Sequence, residues 1–399
     1  HIALKYTLFS AFLATYYFVA KKIIPQERAI VAVMILVSLY HIGWQIHHGY
    51  TNSLLMIVMV MLTLLSVIYI KDTQKLRYYI LLGITMGLGF LSKYNYLLFP
   101  ITLILAMITI EPPVKSFTLK KFLLSVGIAL AIMMPHLWWL KNNFPPAINE
   151  INSVNVPYYI SVIHGLYNLL KTSFLFLFPT LLWVLIFNPK FKWRSENIWE
   201  KIIARQILIA FGLLIASVFL LKITGFKERY LAVFLILIPL WLTYKIKEKN
   251  LKIFITIGLL SMLLVFASIV ASRFLEPMSC RKCFLNEPYP DLVNVIKQEG
   301  FLKGTIIADN DHLAGNLRLL MPNSNVIMPE YAVMQHMKLA PPYLLVWTNY
   351  DGNAHMSSTM AKLLKDNHIV YSDYTTKFES LPLLQYPLRQ QTYKFIIVK

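Results

Sequence analysis

The sequence has few acidic residues, few glycines and only two cysteines, and each scarcity narrows the possible functions. Nineteen aspartates and glutamates stand against 38 lysines and arginines in 399 residues. The 14 glycines form no glycine-rich phosphate loop of either standard type, which argues against nucleotide binding by a Rossmann-like domain. The two cysteines supply at most half of a zinc site.

Apolar residues, by contrast, are abundant: they make up 57% of the chain and fall in long runs. A membrane-spanning helix needs about 20 such residues. The sequence therefore predicts a mainly α protein, a polytopic transmembrane helical bundle over residues 1–271 with a small C-terminal α/β soluble domain over 272–399. About ten spans are predicted, at 2–20, 29–44, 54–70, 78–92, 94–110, 122–140, 160–187, 203–221, 230–244 and 253–271. Gly165 and Lys171 are expected to interrupt the first half of the long seventh run, so 158–170 is predicted to be an interfacial amphipathic helix that leads into a span from about 172.

The net charge of +19 follows membrane topology rather than nucleic-acid binding. Seventeen lysines and arginines fall in alternate loops: Lys21, Lys22, Arg28, Lys71, Lys75, Arg77, Lys115, Lys120, Lys121, Lys190, Lys192, Arg194, Lys201, Lys245, Lys247, Lys249 and Lys252. The opposite short loops hold five: Lys93, Lys141, Lys222, Lys227 and Arg229. The positive-inside rule assigns the first set to the cytoplasm and the tail to the outside. We expect a multi-pass protein of the bacterial inner membrane with a periplasmic C-terminal domain.

The tail alternates short apolar runs with helical segments, which favours a small, largely parallel sheet. Predicted strands are 304–308, 325–328, 343–347 and 393–398, and predicted helices are 312–320 and 357–366. At the start of the tail, Cys280 and Cys283 are expected to form a local structural disulfide outside the cytoplasm. A redox motif and half of a metal site are the alternatives.

Three cations on the predicted external face are the candidate phosphate-binding residues. Lys93 lies between two apolar runs, where an ionisable group is costly and therefore suggests function. Lys227 and Arg229 lie in a short loop, against the positive-inside trend, and a guanidinium suits phosphate recognition. The alternatives are a lysine that snorkels to the interface and an arginine that anchors a helix end.

Further polar and aromatic residues of the same face are predicted to line a substrate cavity: His47, His48, Asn52, Ser53, Tyr94, Glu228 and Tyr230. The histidines also fit exposed loop positions. His136, Trp138 and Trp139 are interpreted first as interfacial aromatics and second as a stacking surface for substrate. In the tail, Asp309, Asp311 and His312 resemble a catalytic cluster, although helix capping explains the aspartates equally well.

Several motifs resemble bacterial glycosyltransferases of the GT-C class. The chain looks similar to the branch related to dolichyl-phosphate-mannose protein mannosyltransferases and the lipid A aminoarabinose transferase. The cues are Gly-Leu-Gly-Phe-Leu-Ser-Lys-Tyr at 87–94, Pro-His-Leu-Trp-Trp-Leu-Lys-Asn-Asn-Phe-Pro at 135–145 and Glu-Arg-Tyr-Leu at 228–231. The tail segment 306–318 is similar to the tails of enzymes that add sugars such as galacturonic acid to lipopolysaccharide.

The resemblance implies an inverting transfer from a polyprenyl-phosphate-linked sugar to a lipid, glycan or protein acceptor. Lys93 and Arg229 would stabilise the leaving phosphate, and a carboxylate would act as general base. Membrane lipids are expected partners and nucleic acid is not. No cofactor is assigned, and dependence on a divalent metal is left open.

The chain departs from the family pattern in two places. The family's essential acidic residue lies in the first external loop, which we expect to precede His1, so no catalytic residue is assigned here and this chain alone is not expected to turn over. The family also often has an aspartate where Asn52 and Ser53 stand, and neither of these side chains can act as a base.

Two other functions fit a polytopic membrane protein. A transporter or flippase of lipid-linked sugars would favour broken helices in paired halves and ionisable groups at mid-membrane, but these spans are almost free of charge. A scaffold that binds a partner through its tail should tolerate loss of the external cations, whereas a transferase should not.

Overall fold

The structure, a computed structural model, forms two compact units, His1–Val265 and Phe266–Lys399. It describes residues 2–48, 51–110, 117–142, 158–188, 197–279, 283–284, 286–330, 339–348, 356–372 and 375–398. The predicted domain boundary after residue 271 falls within the helix Leu251–Ser279, which begins in the first unit and ends in the second.

The first unit consists of helices, and helices occupy all ten segments that were predicted to span a membrane. They are α1 (Ile2–Ile23), α2 (Gln26–Val37), α3 (Tyr40–Gly43), α4 (Thr51–Thr73), α5 (Leu76–Ser92), α6 (Leu98–Ile108), α7 (Leu119–Asn142), α8 (Tyr158–Leu177), α9 (Thr180–Phe187), α10 (Ile198–Leu221), α11 (Glu228–Leu235), α12 (Leu237–Lys245) and α13 (Leu251–Ser279). Short 3-10 turns occupy Gln45–His48, Tyr94–Leu97 and Glu248–Asn250.

Within the described residues, five helices are long and apolar enough to cross a membrane. They are Asn52–Thr73, Leu119–Lys141, Tyr159–Leu177, Ile198–Leu221 and Glu248–Ser272. In the α4 span 78% of the residues are buried within the protein, against 11% in the α7 and α13 spans. Helix α4 is therefore the centre of the bundle, while α7 and α13 present apolar side chains outward, as helices that face lipid do.

Helices α5 and α7 pack closely because α5 has glycine at two positions one turn apart. A Cβ on Gly83 would lie 2.6 Å from the carbonyl oxygen of Ser125, and one on Gly87 would lie 2.8 Å from Ile132 Cβ. Small residues at this spacing let two helix backbones approach one another. The approach brings the last turn of α7 beside the end of α5.

The seventh predicted span differs from expectation. Helix α8 runs without interruption through Gly165 and Lys171, and the break comes at Phe178–Pro179, where α9 begins. The amphipathic segment predicted at 158–170 is thus the first part of one long helix. Gly165 lies within this helix at a close contact with the carbonyl oxygen of Ile223.

Basic side chains gather at the end of the bundle opposite Lys93. Arg28 donates to the carbonyl oxygens of Thr243 and Ile246 at 3.1 and 2.9 Å. At the same end Lys245 and Glu200 form an ion pair whose side chains are only 4% and 7% exposed. Arg28 thus joins α2 to the end of α12, and Lys245 joins that same end to α10.

The second unit is an α/β domain built on a five-stranded sheet of order β2-β1-β3-β5-β4. The strands are β1 (Thr305–Ala308), β2 (Asn325–Ile327), β3 (Tyr343–Thr348), β4 (Lys377–Leu383) and β5 (Tyr386–Val398), and the helices are α14 (Tyr289–Gln298), α15 (Asp311–Leu320) and α16 (Ser358–Asp366). Strands β1, β2 and β3 are parallel, with Ile306 opposite Val326 and Leu344. Helices α14 and α15 cover one face of the sheet, and α16 covers the other.

The predicted strands of the tail are confirmed, but the antiparallel hairpin of β4 and β5 was missed apart from its last residues. Strand β4 is mostly exposed and contains Pro382, which suits an edge strand and gives no continuous apolar run. Only the end of β5 is buried, beside β3. The sheet is therefore mixed rather than largely parallel.

Candidate active site

Lys93 owes its position to the sharp end of α5. The backbone of Lys93 is extended (φ −164°, ψ 135°), so it stops the helix before the 3-10 turn that follows. Its Nζ donates a hydrogen bond of 2.8 Å to Oγ of Ser53, in the first turn of α4. It also lies 3.4 Å from the carbonyl oxygen of Arg229. Lys93 thus joins α5, α4 and α11.

Arg229 enters the same site from the first turn of α11. The ring of Tyr230 contacts both cations, with its centroid 4.9 Å from Lys93 Nζ and 5.3 Å from Arg229 Cζ. Asn95 donates to the carbonyl oxygen of Tyr230 at 2.8 Å and so ties the turn after Lys93 to α11. Four sequence-predicted residues, Lys93, Ser53, Arg229 and Tyr230, are brought together.

The electrostatics of this group favour an anion. Partial burial, and then the positive charge of Arg229, lower the pKa of Lys93 to about 8. Like charges held together in a half-buried place repel, and an anion bound between them would relieve that repulsion. The aromatic face of Tyr230 offsets part of this cost through cation–π contact.

Helix α8 holds the loop that precedes Arg229. Asn168 donates to the carbonyl oxygen of Thr224 at 2.9 Å, and Thr172 donates to that of Phe226 at 3.0 Å. A Cβ on Gly165 would lie 2.6 Å from the carbonyl oxygen of Ile223, so only glycine lets the loop approach this closely. These contacts of α8 were not predicted from the sequence. Asn168 and Thr172 lie four residues apart on one face of α8.

The remaining predicted site residues lie around this group or apart from it. Lys227 precedes α11 and is exposed, whereas Glu228 is the first residue of that helix and partly exposed. Asn52 is exposed at the start of α4. His47 contacts α1 instead: its ring lies 3.3 Å from the Tyr6 hydroxyl, and its carbonyl accepts from Lys5 at 2.7 Å. The side chain of His48 lies outside the described residues.

Tyr94 faces a different neighbour from Lys93. Its hydroxyl lies 2.7 Å from Nε2 of His136 on α7. The His136 ring in turn stacks on Trp139, with ring centroids 5.6 Å apart and an angle of 18°. His136 was interpreted from sequence as an interfacial aromatic, and its partnership with Tyr94 could not be found without the pairing of α5 and α7.

In the second unit, Asp309 follows β1 and accepts hydrogen bonds from the backbone N–H of Thr348 and from the side chain of Asn310. Burial raises the pKa of the Asp309 carboxyl to about 6. Asn310, rather than an aspartate, caps α15, because its Oδ1 accepts from the backbone N–H of Leu313. His312 stacks on Phe284 at 3.8 Å. The three predicted residues are thus distributed between the end of a strand and the first turn of a helix.

Cys283 is buried and disulfide-bonded, and Cys280, the other cysteine of the sequence, lies outside the described residues. Across the described part of the chain, no three side chains of His, Cys, Asp or Glu group closely enough to hold a metal ion.

This chain is similar in sequence to known glycosyltransferases. Residues 3–139 match the model of the dolichyl-phosphate-mannose-protein mannosyltransferase family. This match contains Ser53, Lys93 and His136 but ends before Arg229. No solved structure matches the chain.

Two curated relatives extend the similarity over most of the chain. The lipopolysaccharide core galacturonosyltransferase RgtB of Rhizobium johnstonii is 24% identical over 376 residues, which cover 88% of this chain and 74% of the relative. RgtA of the same organism, also a lipopolysaccharide core galacturonosyltransferase, is 22% identical over 354 residues, covering 83% and 70%. The resemblance to GT-C glycosyltransferases that the motifs predicted is confirmed.

Proposed function

We propose that this homologue of membrane glycosyltransferases transfers a sugar from a polyprenyl-phosphate donor to an acceptor of the lipopolysaccharide type. The relatives' names support a membrane transferase that acts on lipopolysaccharide sugars. The donor class is our inference from the cation site. The observation that carries the proposal is that Lys93 and Arg229 both contact the ring of Tyr230.

The two cations fit a phosphate at a membrane surface. Arg229 can offer paired donors, and Lys93 adds a point charge. In the proposed reaction, the bond between the anomeric carbon and the phosphate oxygen breaks while the acceptor hydroxyl oxygen attacks from the opposite face and gives its proton to a carboxylate general base, to which no residue is assigned here. The leaving polyprenyl phosphate then carries the negative charge, which both cations stabilise. Attack from that face inverts the configuration of the sugar.

The proposal also assigns a side of the membrane. The basic residues gathered at the end opposite Lys93 support a cytoplasmic location for that end. We infer that Lys93, Arg229 and residues 272–399 lie on the periplasmic side of the inner membrane. A polyprenyl carrier delivers sugar there, so no nucleotide sugar is needed.

The test uses membranes that contain the protein together with any residues that precede His1, a polyprenyl-phosphate-linked galacturonic acid as donor and lipopolysaccharide core as acceptor. Lys93→Met and Arg229→Met should each lower transfer by roughly 100-fold, the usual cost of losing one group that stabilises developing negative charge. Lys171→Met is the matched control, because Lys171 is an exposed cation of α8 outside the site. It should leave transfer unchanged.

Three results would count against the proposal. Transfer that survives loss of both cations would remove their role in leaving-group stabilisation. Movement of the intact lipid-linked sugar across vesicles, without transfer, would favour a flippase. A wild type that transfers no sugar but binds a protein partner through residues 272–399, with the same affinity in the Lys93→Met and Arg229→Met variants, would favour a scaffold.

A further inference from the structure

A row of aromatic rings continues the site away from the two cations. The aromatic row consists of Phe90, Tyr94, His136 and Trp139. Successive ring centroids lie 5.3, 5.7 and 5.6 Å apart, and the His136 and Trp139 rings are nearly parallel. Tyr94 and Trp139 remain 50% and 42% exposed, so the row presents ring surface to its surroundings.

The row is rigid because it is built across two closely packed helices. Gly83 and Gly87 let α5 meet α7, and the Tyr94 hydroxyl bonds His136 Nε2 across the top of that contact. Aromatics that merely anchor a helix at a membrane surface act singly and need no bond to one another. Here a hydrogen bond fixes the exposed ring of Tyr94 against the partly exposed ring of His136, and side chains held in place in this way are a property of binding surfaces.

The chemistry beside the row selects the kind of ligand. Trp138 on the same turn of α7 is 68% exposed, and Lys141 Nζ lies 5.8 Å from its ring centroid. Exposed ring faces suit the C–H faces of a sugar, while the His136 and Tyr94 tips offer hydrogen bonds to hydroxyls. A nearby ammonium favours acidic groups on that sugar. An aliphatic prenyl chain would use neither the polar tips nor the cation.

Lys93 and Tyr94 are consecutive, yet they contact different helices. Lys93 contacts Ser53 of α4 and the start of α11, whereas Tyr94 contacts α7. A donor phosphate at Lys93 would therefore leave the aromatic row open to a second substrate. We propose that the aromatic row, with Trp138 and Lys141, binds the anionic saccharide of the acceptor. This inference rests on the proposed transferase function and assigns its second substrate.

The decisive experiment separates acceptor binding from catalysis. Purified full-length protein is titrated with de-acylated lipopolysaccharide core oligosaccharide, first without donor, and then transfer is measured with the donor saturating. Trp139→Leu should weaken oligosaccharide binding and raise the acceptor KM about tenfold, while the donor KM stays within about twofold. His136→Phe keeps a ring but loses the bond to Tyr94, and it should give a smaller shift in the same direction.

Tyr159→Leu is the matched control, because Tyr159 is a 65% exposed ring near the end of a different helix, α8. Equal effects of Trp139→Leu and Tyr159→Leu would show that the row only anchors the protein in the membrane and would overturn the inference. An unchanged acceptor KM in both row variants would do the same. If Trp139→Leu does not fold, His136→Phe decides.

Failure of the proposed transferase function would give a different result. A wild type that transfers no sugar, but binds the oligosaccharide through Trp139, would contradict the transferase proposal and support the saccharide site. Normal wild-type transfer without any effect of the row variants would keep the transferase and remove the site.

Discussion

Ser53 is one of the two residues, with Asn52, at which the resemblance led us to expect an aspartate, and its side chain contacts Lys93. The Ser53 hydroxyl accepts a hydrogen bond from the Lys93 ammonium at 2.8 Å but brings no charge. Burial and the positive charge of Arg229 therefore determine the pKa of Lys93, which falls to about 8. A serine here orients the lysine without neutralising it, so the positive charge remains available to a ligand.

The charge of Lys93 makes the first prediction one about pH. Affinity for a polyprenyl phosphodiester should fall as pH rises through about 8, because only the protonated form of Lys93 attracts the anion. A bound anion should raise the pKa of Lys93, because it stabilises the protonated lysine. Ser53→Asp should also raise the midpoint, since a neighbouring carboxylate favours the charged lysine, and should weaken binding by competing with the phosphate. Binding titrations on both sides of pH 8 measure each effect.

The Lys93→Met variant is the reference for this titration. It should bind weakly at every pH and lose the midpoint. If its pH profile matches that of the wild type, another group titrates, and the role given to Lys93 is wrong.

At the residue scale, the sequence predicted the charged members of the site and missed their neutral supports. Lys93 and Arg229 stand out because a cation on an apolar, externally facing segment is unusual. Asn95, Asn168 and Thr172 are ordinary residues in sequence, and their roles depend on backbone carbonyls that only the folded loop presents. Side-chain to backbone bonds of this kind have no sequence signature.

At the scale of elements, α8 acts as a support for the loop that carries Arg229. The sequence predicted a break in this helix near Gly165 and Lys171, because glycine and charge usually interrupt a span. The helix instead continues, and Gly165 provides the close approach to Ile223. The apolar runs of the sequence correctly predicted where the helices of the first unit lie. The use of a glycine for packing rather than for a turn depends on a partner that is distant in sequence.

The second prediction concerns this glycine. Gly165→Ala should cost about 1–3 kcal/mol of stability, because its Cβ would lie 2.6 Å from the Ile223 carbonyl oxygen and 2.7 Å from Val218. The displaced loop should also weaken donor binding severalfold. Thermal unfolding in detergent and donor titration measure the two effects.

Gly212→Ala on α10 is the matched control, since a Cβ there meets nothing within 4 Å. Alanine favours helix over glycine by up to about 1 kcal/mol, so this variant should be neutral or slightly stabilised. Equal responses of the two variants would mean that the contact with Ile223 has no influence on the site.

At the scale of the whole molecule, the first unit has two chemically different ends. One end brings cations and aromatic rings into partly exposed positions. The other end buries the Lys245–Glu200 pair, and Asn188 donates to the carbonyl oxygen of Lys245 at 3.0 Å. Helices α9, α10 and α12 are thus tied together by polar contacts at the end away from the proposed chemistry.

The third prediction concerns the buried ion pair of Lys245 and Glu200. Glu200→Gln or Lys245→Met alone should destabilise the protein by about 3–5 kcal/mol, because each leaves one buried charge without its counter-ion. The double variant should recover much of this loss, since it buries no charge. The midpoint of thermal unfolding, measured for all four proteins, gives the coupling. Additive losses would show that the two side chains do not stabilise one another.

The adjacency of Lys93 and Tyr94 has a consequence for how such a protein can diversify. If the two residues serve two substrates, the spacing between those substrates is set by one peptide unit at the end of a helix. Loop insertions elsewhere could enlarge or shrink the surroundings of the site without altering that spacing. New pairs of sugar and acceptor would then arise through exchange of side chains around a constant separation, so substrate preference could drift while the stereochemical course is inherited.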